Sequence, residues 1–314
     1  MGTRNYNLGS RNMNDAVQIA LGMATERGII GETTASNIAG RFTQFVDFAK
    51  DNGVGRLEKI DQELVREYGK IIADRVDSAE LKASTGQNLV SAVNAVMALV
   101  TSGNWKTVGP VADCGIAQRS AIRETVPPGL DRQVFNNVIS ELQSRGLERQ
   151  VVIAELAREV GLRTKEASLL NSKTALEQAK TSGIVTIALG TKGGRSRSVQ
   201  ITSEKQLATL EKAANLQGNN RSIMPPDKHW KEWRNGELRA GREIVKEVSG
   251  GGYHDLRAAY ACERYRILTG CKTSVENGGK LSAERAADRA ARMQIAAELG
   301  HGRIDVIAEY IGGR

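Results

Sequence analysis

The chain has 314 residues, 40% of them hydrophobic and 25% charged, with a net charge of +8. That length suits two domains of ordinary size, and the balance describes a globular protein rather than a disordered one. The longest apolar stretches, such as "NAVMALV" at 94–100, fall far short of the roughly 20 residues of a membrane helix, and residues 1–17 hold no apolar signal-peptide segment.

Cys114, Cys262 and Cys271 are odd in number and widely spaced, with no CxxC pair. Reduced thiols in a cytosolic compartment are expected, and disulfides or a zinc finger are not. The charge is unevenly placed. Residues 1–110 hold 12 Lys/Arg and 12 Asp/Glu, whereas residues 111–314 hold 32 and 24, the whole excess. A basic excess confined to one half points to a polyanionic partner, most often nucleic acid held through its phosphates.

Along the first hundred residues, apolar positions recur at helical spacing over 13–26, 33–50, 61–76 and 85–101. In the last of these Val90, Val93, Met97 and Val100 form one stripe, which reads as core. Thr33 or Thr34 is expected to cap the second helix, and "DNGVG" to stop it. Residues 102–130 lose this periodicity and contain the Pro127–Pro128 pair. The expected organisation is a small helical domain at 1–108, a connection at 109–130 and a second domain at 131–314.

Helical patterns return at 131–146 and 149–160. "SGIVTIALGTKGGRSRSVQIT" (182–202) then switches period: Ile184, Val185, Ile187 and Leu189 form one β run, "GTKGG" turns, and Val199 and Ile201 form a second. Helices follow to the end, broken by glycine-containing stretches at 249–253 and 269–280. The expected fold class is mainly α with a small β-hairpin (α+β).

Familiar catalytic motifs are missing: no GxSxG, no GxxxxGK[ST], and no GxGxxG after a strand. His254 and Cys262, eight apart with no third ligand nearby, do not make a metal site. Basic and phenolic residues remain at the joints between elements. Arg163 lies in "GLRTKEASLL", and Lys192 lies at the hairpin tip with Arg195 and Arg197. His254 and Arg257 stand at i and i+3 in "HDLR", Tyr310 follows His301 by nine residues, and both of these histidines read as lying where a helix begins. Such residues suit phosphoryl transfer without a metal. Guanidiniums neutralise phosphorane oxygens, a lysine protonates a leaving alkoxide, histidines move protons, and a phenol attacks phosphorus. Taken singly, each has a plainer reading as a solvated charge, a helix cap or, for Tyr310, a core side chain.

In order and spacing, "GLRTKEASLL", "TKGG" on a hairpin, "HDLR", and "LGH" with a tyrosine nine residues on resemble the catalytic domain of the tyrosine recombinases, the phage and mobile-element integrases. The motifs span residues 161–310, and the upstream helices match the family's core-binding domain in position and size. The resemblance implies a site-specific recombinase that cuts and rejoins DNA through a 3′-phosphotyrosyl link to integrate or excise a mobile element, with no cofactor. Arg163 and Arg257 would clamp the scissile phosphate, Lys192 would protonate the leaving 5′ oxygen, and His254 would serve proton transfer. His301 would bond the phosphate, Tyr310 would be the nucleophile, and Glu166 would organise the arginine loop. It also implies two domains closing on duplex DNA, a dimer on each site and a homotetramer across two sites, with a monomer left open in the absence of DNA, no membrane, and a cytoplasmic (bacterial, nucleoid-associated) location.

Departures from the pattern are few. Ala258 stands where a second basic or histidine residue is common, and Arg257 and His301 are further apart than is usual. The surplus falls at 272–292, ending in a charged helix with Arg285, Arg289 and Arg292 at i, i+4 and i+7. That segment reads either as a solvated face or as an added DNA- or subunit-contacting element. With four residues after Tyr310, subunit coupling is expected from another element or from chain not present. Around His229, Trp230 and Trp233 read as packing anchors, and Lys228, Lys231 and Arg234, with Arg195 and Arg197 of the hairpin, are the expected DNA contacts. Two other readings stand beside the recombinase: a catalytically silent DNA-binding accessory protein of the same fold, and a type IB topoisomerase.

Overall fold

The computed structural model describes residues 4–314 and divides into two compact units, one ending at Ser120 and the other Ala121–Arg314. In the first unit, α1 (Met13–Glu26), α2 (Glu32–Asp51), α3 (Gln62–Asp77) and α4 (Ala83–Val100) lie within two residues of their predicted bounds. Asn12 caps α1 by accepting from Asn14 N at 2.8 Å, and Asp61 caps α3 by accepting from Leu64 N at 2.9 Å. For α2 the expectation differs from the outcome. Its N-cap is Gly31, with no side-chain cap, because the helix begins at Glu32 and takes both threonines into its first turn. At its other end Gly53 adopts φ +73°, and Val54 N bonds Ala49 O, closing the helix as the glycine suggested.

The core of this unit is built from Phe42, Phe45, Tyr68, Val90, Val93 and Met97. Within 109–130, Cys114 and Ile116 join that core, and a Cβ on Gly69 would lie 2.2 Å from Cys114 Sγ. Asn94 fastens the stretch before it, donating to Val108 O at 2.8 Å and accepting from Val108 N at 3.0 Å.

The second unit contains α5 (Arg132–Ser144), α6 (Glu148–Glu159), α7 (Thr164–Leu169), α8 (Ser172–Ser182), β1 (Ile184–Ile187), β2 (Arg197–Gln200), α9 (Glu204–Gln217), α10 (Trp230–Asn235), α11 (Glu237–Ser249), α12 (Tyr253–Thr269), α13 (Arg285–Glu298) and α14 (Ala308–Ile311). Helix α6 is buried on nearly every face (Val151, Val152, Ile153, Ala154, Leu156, Ala157), since α5, α9 and α12 pack around it. The hairpin is antiparallel, pairing Val185 with Val199 and Ile187 with Arg197. Its strands are shorter than the apolar run suggested: Leu189 is 63% exposed, beyond the last pair. Among the described residues, no helix is long and apolar enough to cross a membrane.

Candidate active site

Three helix ends and one hairpin bring the site together. The first is the start of α7, where Arg163 is the N-cap and Glu166 the third helical residue. Glu166 is fully buried and accepts from Arg163 N and Arg163 Nη1, each at 2.7 Å. Gly161, just before, has φ +70°, and an added Cβ would lie 2.5 Å from the Tyr260 ring. Only glycine fits there, because both the left-handed backbone and the contact exclude a side chain. Helix α10 braces this turn from behind. Trp233 is fully buried and donates its Nε1 hydrogen to Ser168 Oγ at 3.0 Å, and Lys165 Nζ lies 5.5 Å over the Trp230 ring.

The second end is the start of α12. Its first turn presents His254 outward and Arg257 inward. Arg257 is fully buried. Its Nη1 donates to Gly161 O and its Nη2 to Leu299 O, while its Nε has no partner among the described residues. Burial lowers its pKa to about 10, against the opposing influences of Tyr310 and Glu166.

The third is the end of α13, where "LGH" differs from expectation. His301 does not begin a helix; it follows one. Gly300, at φ +69°, bonds back to Ala297 O at 3.0 Å, and His301 N bonds Ala296 O at 2.8 Å. This is a Schellman closure with His301 in its last position, so leucine, glycine and histidine serve as helix face, turn and site residue in succession.

One more turn of chain carries α14, whose Tyr310 is only 2% exposed. Its hydroxyl lies 3.0 Å from His301 Nε2. The His254 ring is centred 5.2 Å from the tyrosine ring, and Arg257 Cζ lies 5.7 Å from the same centroid. Burial, then the charges of Arg257, Arg163, Arg197 and Lys192, pull the His301 pKa down to about 4. Desolvation at the head of α12, then Arg257, lowers that of His254. Both rings are therefore neutral at pH 7 and able to accept a proton.

The hairpin brings Lys192, exposed at the tip in a short 3₁₀ turn and near enough to influence His301. The tip is pressed against α7: Gly190 has φ +74°, and a Cβ there would lie 2.8 Å from Lys165 O. Of the six residues singled out as catalytic, His254, Arg257 and His301 thus stand around the Tyr310 phenol, with Arg163 and Lys192 near enough to influence His301.

Arg197 is a correction. It was expected among the DNA contacts, yet it is 8% exposed, with Nη1 and Nη2 on Glu166 at 2.7 and 2.6 Å and Nε on Glu298 O at 2.6 Å. The reason is register: β2 buries alternate residues, and Arg197 shares the inward side with Val199. Burial raises the Glu166 pKa, but Arg197, the Arg163 amide and Arg257 outweigh it and bring it down to about 2. Of the other expected contacts, Arg195, Lys231 and Arg234 are exposed, and Lys228 pairs with Glu237.

Sequence reasoning passed over a second buried carboxylate, Glu298, which accepts from Tyr260 Oη at 2.8 Å and Arg264 Nη2 at 2.8 Å. Its signal was available. Glu298 continues the apolar stripe Ala291–Ile295–Leu299, and an acid on such a stripe must find a cation inside. Arg292 also departs from expectation. Arg285 and Arg289 are exposed, but Arg292 is 2% exposed, because the chain after Tyr310 passes over it.

A family model described as Integrase matches residues 121–263. Solved structures with the same fold include the XerH site-specific recombinase bound to palindromic difH substrate in a post-cleavage complex (TM-score 0.61, 14% identity, covering 96% of this chain and 81% of that one). A lambda integrase dimer bound to a COC′ core site matches at TM-score 0.60 and 14% identity, over 94% of this chain and 93% of that one. The Tn1549 transposon integrase in complex with transposon right-end DNA matches at 0.57 and 10%, over 95% of both chains. Comparison with curated protein sequences gives no match.

Proposed function

We propose, from the premise that this chain is a tyrosine recombinase by fold with an integrase segment at 121–263, that it cleaves and rejoins DNA strands to integrate or excise a mobile element. The observation that carries this reading is the Tyr310 hydroxyl at 3.0 Å from a histidine held neutral, beside a buried arginine with an unpaired Nε–H. An unsatisfied buried donor costs about 1–3 kcal/mol, a cost that a bound phosphate oxygen would remove.

In the reaction the Tyr310 oxygen attacks phosphorus, and the bond from phosphorus to the 5′ oxygen breaks. The phenolic proton passes to one neutral histidine beside it, and Lys192 gives a proton to the leaving 5′ oxygen. Arg163, with donors beyond its two bonds to Glu166, and Arg257 neutralise the phosphorane. The bond energy stays in the phosphotyrosyl ester, so rejoining needs no cofactor. The natural ligand is duplex DNA carrying recombination sites, contacted through Arg195, Lys231 and Arg234. The acting assembly is a homotetramer, a dimer on each site, in the bacterial cytoplasm at the nucleoid.

A nicked suicide duplex, with its attachment sequence drawn from DNA flanking the gene, tests this reading. The expected outcome is a covalent protein–DNA adduct on a denaturing gel, absent in Tyr310→Phe. In Lys192→Ala its rate of formation falls by roughly 10²–10⁴. A wild-type protein that binds the duplex and forms no adduct would favour the silent accessory reading.

A further inference from the structure

Helix α14 is a single turn of four residues, far too short to hold itself together. Its last carbonyls have no partners within the helix, as at any helix end. They find them in the segment whose purpose the sequence left open. Arg292 Nη1 donates to Gly312 O at 3.0 Å, and its Nη2 to Gly313 O at 2.8 Å. The single hydroxyl hydrogen of Ser274 is shared between Ile311 O, at 3.0 Å, and Gly313 O, at 2.5 Å.

Both donors are buried: Ser274 is 1% exposed and Arg292 2%. Arg292 is itself aimed by Asp288, which accepts its Nε–H at 2.7 Å and the Tyr265 hydroxyl at 2.9 Å. The fit on the other side is close. Gly312 has φ +88°, and an added Cβ would lie 2.7 Å from both Ser274 Oγ and Val275 N. A guanidinium and a hydroxyl are thus spent on three consecutive backbone carbonyls immediately after Tyr310.

We propose that Ser274 and Arg292 are positioning residues for the Tyr310 nucleophile. They grip the backbone that follows it and so hold the phenol against His301. This role rests on the recombinase reading above. It makes the 272–292 segment a device that aims the nucleophile from within the same chain, in place of a solvated face. The nucleophile's reach is then set by three carbonyl contacts rather than by the strength of α14.

The test pairs two measurements on the full chain with Ser274→Ala, Arg292→Ala, Arg292→Lys and Gly312→Ala. Gly312→Ala pushes the tail off the grip while leaving both gripping residues and the Arg292–Asp288 pair intact, which guards against a variant that merely fails to fold. By hydrogen exchange, amides at 308–313 should open about 5–10 times more often in Ser274→Ala and Gly312→Ala, the equivalent of one lost hydrogen bond. Amides of α12 should be unchanged. Single-turnover adduct formation at saturating DNA should fall roughly 10- to 100-fold, since misplacing a nucleophile by about 1 Å costs that much. Arg292→Lys should recover part of the rate, and combining Arg292→Ala with Gly312→Ala should add little, because both release the same contact. Unchanged exchange at 308–313, faster exchange with wild-type cleavage, or fully additive losses would each overturn the proposal. A wild type that forms no adduct would instead overturn the recombinase reading, and the positioning role with it.

Discussion

Replacing Glu166 with Gln removes one charge from the centre of the site while keeping its shape. The carboxylate is fully buried and accepts four hydrogen bonds, two from Arg163 and two from Arg197, with Arg257 Nη1 a further 3.6 Å away. An amide can accept at one position only, and its NH₂ would face a guanidinium, donor against donor. Two routes give the cost. The carboxyl pKa drops from 4.5 to about 2, and at about 1.4 kcal/mol per pH unit that is worth about 3 kcal/mol. Removing one partner of a buried ion pair costs roughly 3–5 kcal/mol in general. Both point to a loss of about 3 kcal/mol at pH 7, or roughly 6–12 °C in Tm for a unit of this size.

The pH dependence is the sharper signature. Because folding depresses this pKa, the stabilisation is complete above pH 4.5 and is lost as pH falls through about 2. The gap between wild type and Glu166→Gln, measured by urea denaturation with tryptophan fluorescence, should be constant from pH 7 to 5 and narrow below 4.5. A gap under about 1 kcal/mol at pH 7, or one that does not change at acid pH, would refute the claim that Glu166 is the charged centre binding three arginines.

Two further outcomes follow from the same geometry. The His301 pKa is lowered in the folded state to about 4, so between pH 6.5 and 4 the unfolded chain binds the extra proton and stability falls with falling pH. His301→Gln should flatten that part of the Tm-versus-pH curve, and an unchanged slope would show that His301 titrates normally. Gly161→Ala combines a left-handed backbone with a Cβ 2.5 Å from the Tyr260 ring, a cost of roughly 2–4 kcal/mol. It also displaces the carbonyl that holds Arg257, so the adduct formation proposed above should fall beyond what the lower thermal midpoint explains.

Local features were legible because their causes are local. The helices of 13–100 follow from apolar residues at helical spacing. The hairpin follows from a β-rich run interrupted by glycines, and the closing turn at Gly53 follows from a residue that tolerates positive φ. The candidate site residues stood out for a related reason: each stands near the end of an element, where a turn can present a side chain. The cap of α2 and the role of "LGH" were misread because two neighbouring residues can each begin a helix, and a glycine–histidine pair can end one as well as precede one.

What composition and periodicity determined, then, was which elements form, which half carries the positive charge, and which residue types stand at the joints. What only the tertiary structure decided was which charges are inside. Arg197 meets Glu166 across 31 residues and Glu298 O across 101, and Arg292 meets Gly313 across 21. A cation in water needs no partner, so along the chain every arginine looks alike. Once packing removes the water, an unpaired charge is too costly to keep. Arg197, Arg257 and Arg292 therefore took their places from the carboxylates and carbonyls that distant segments brought to them.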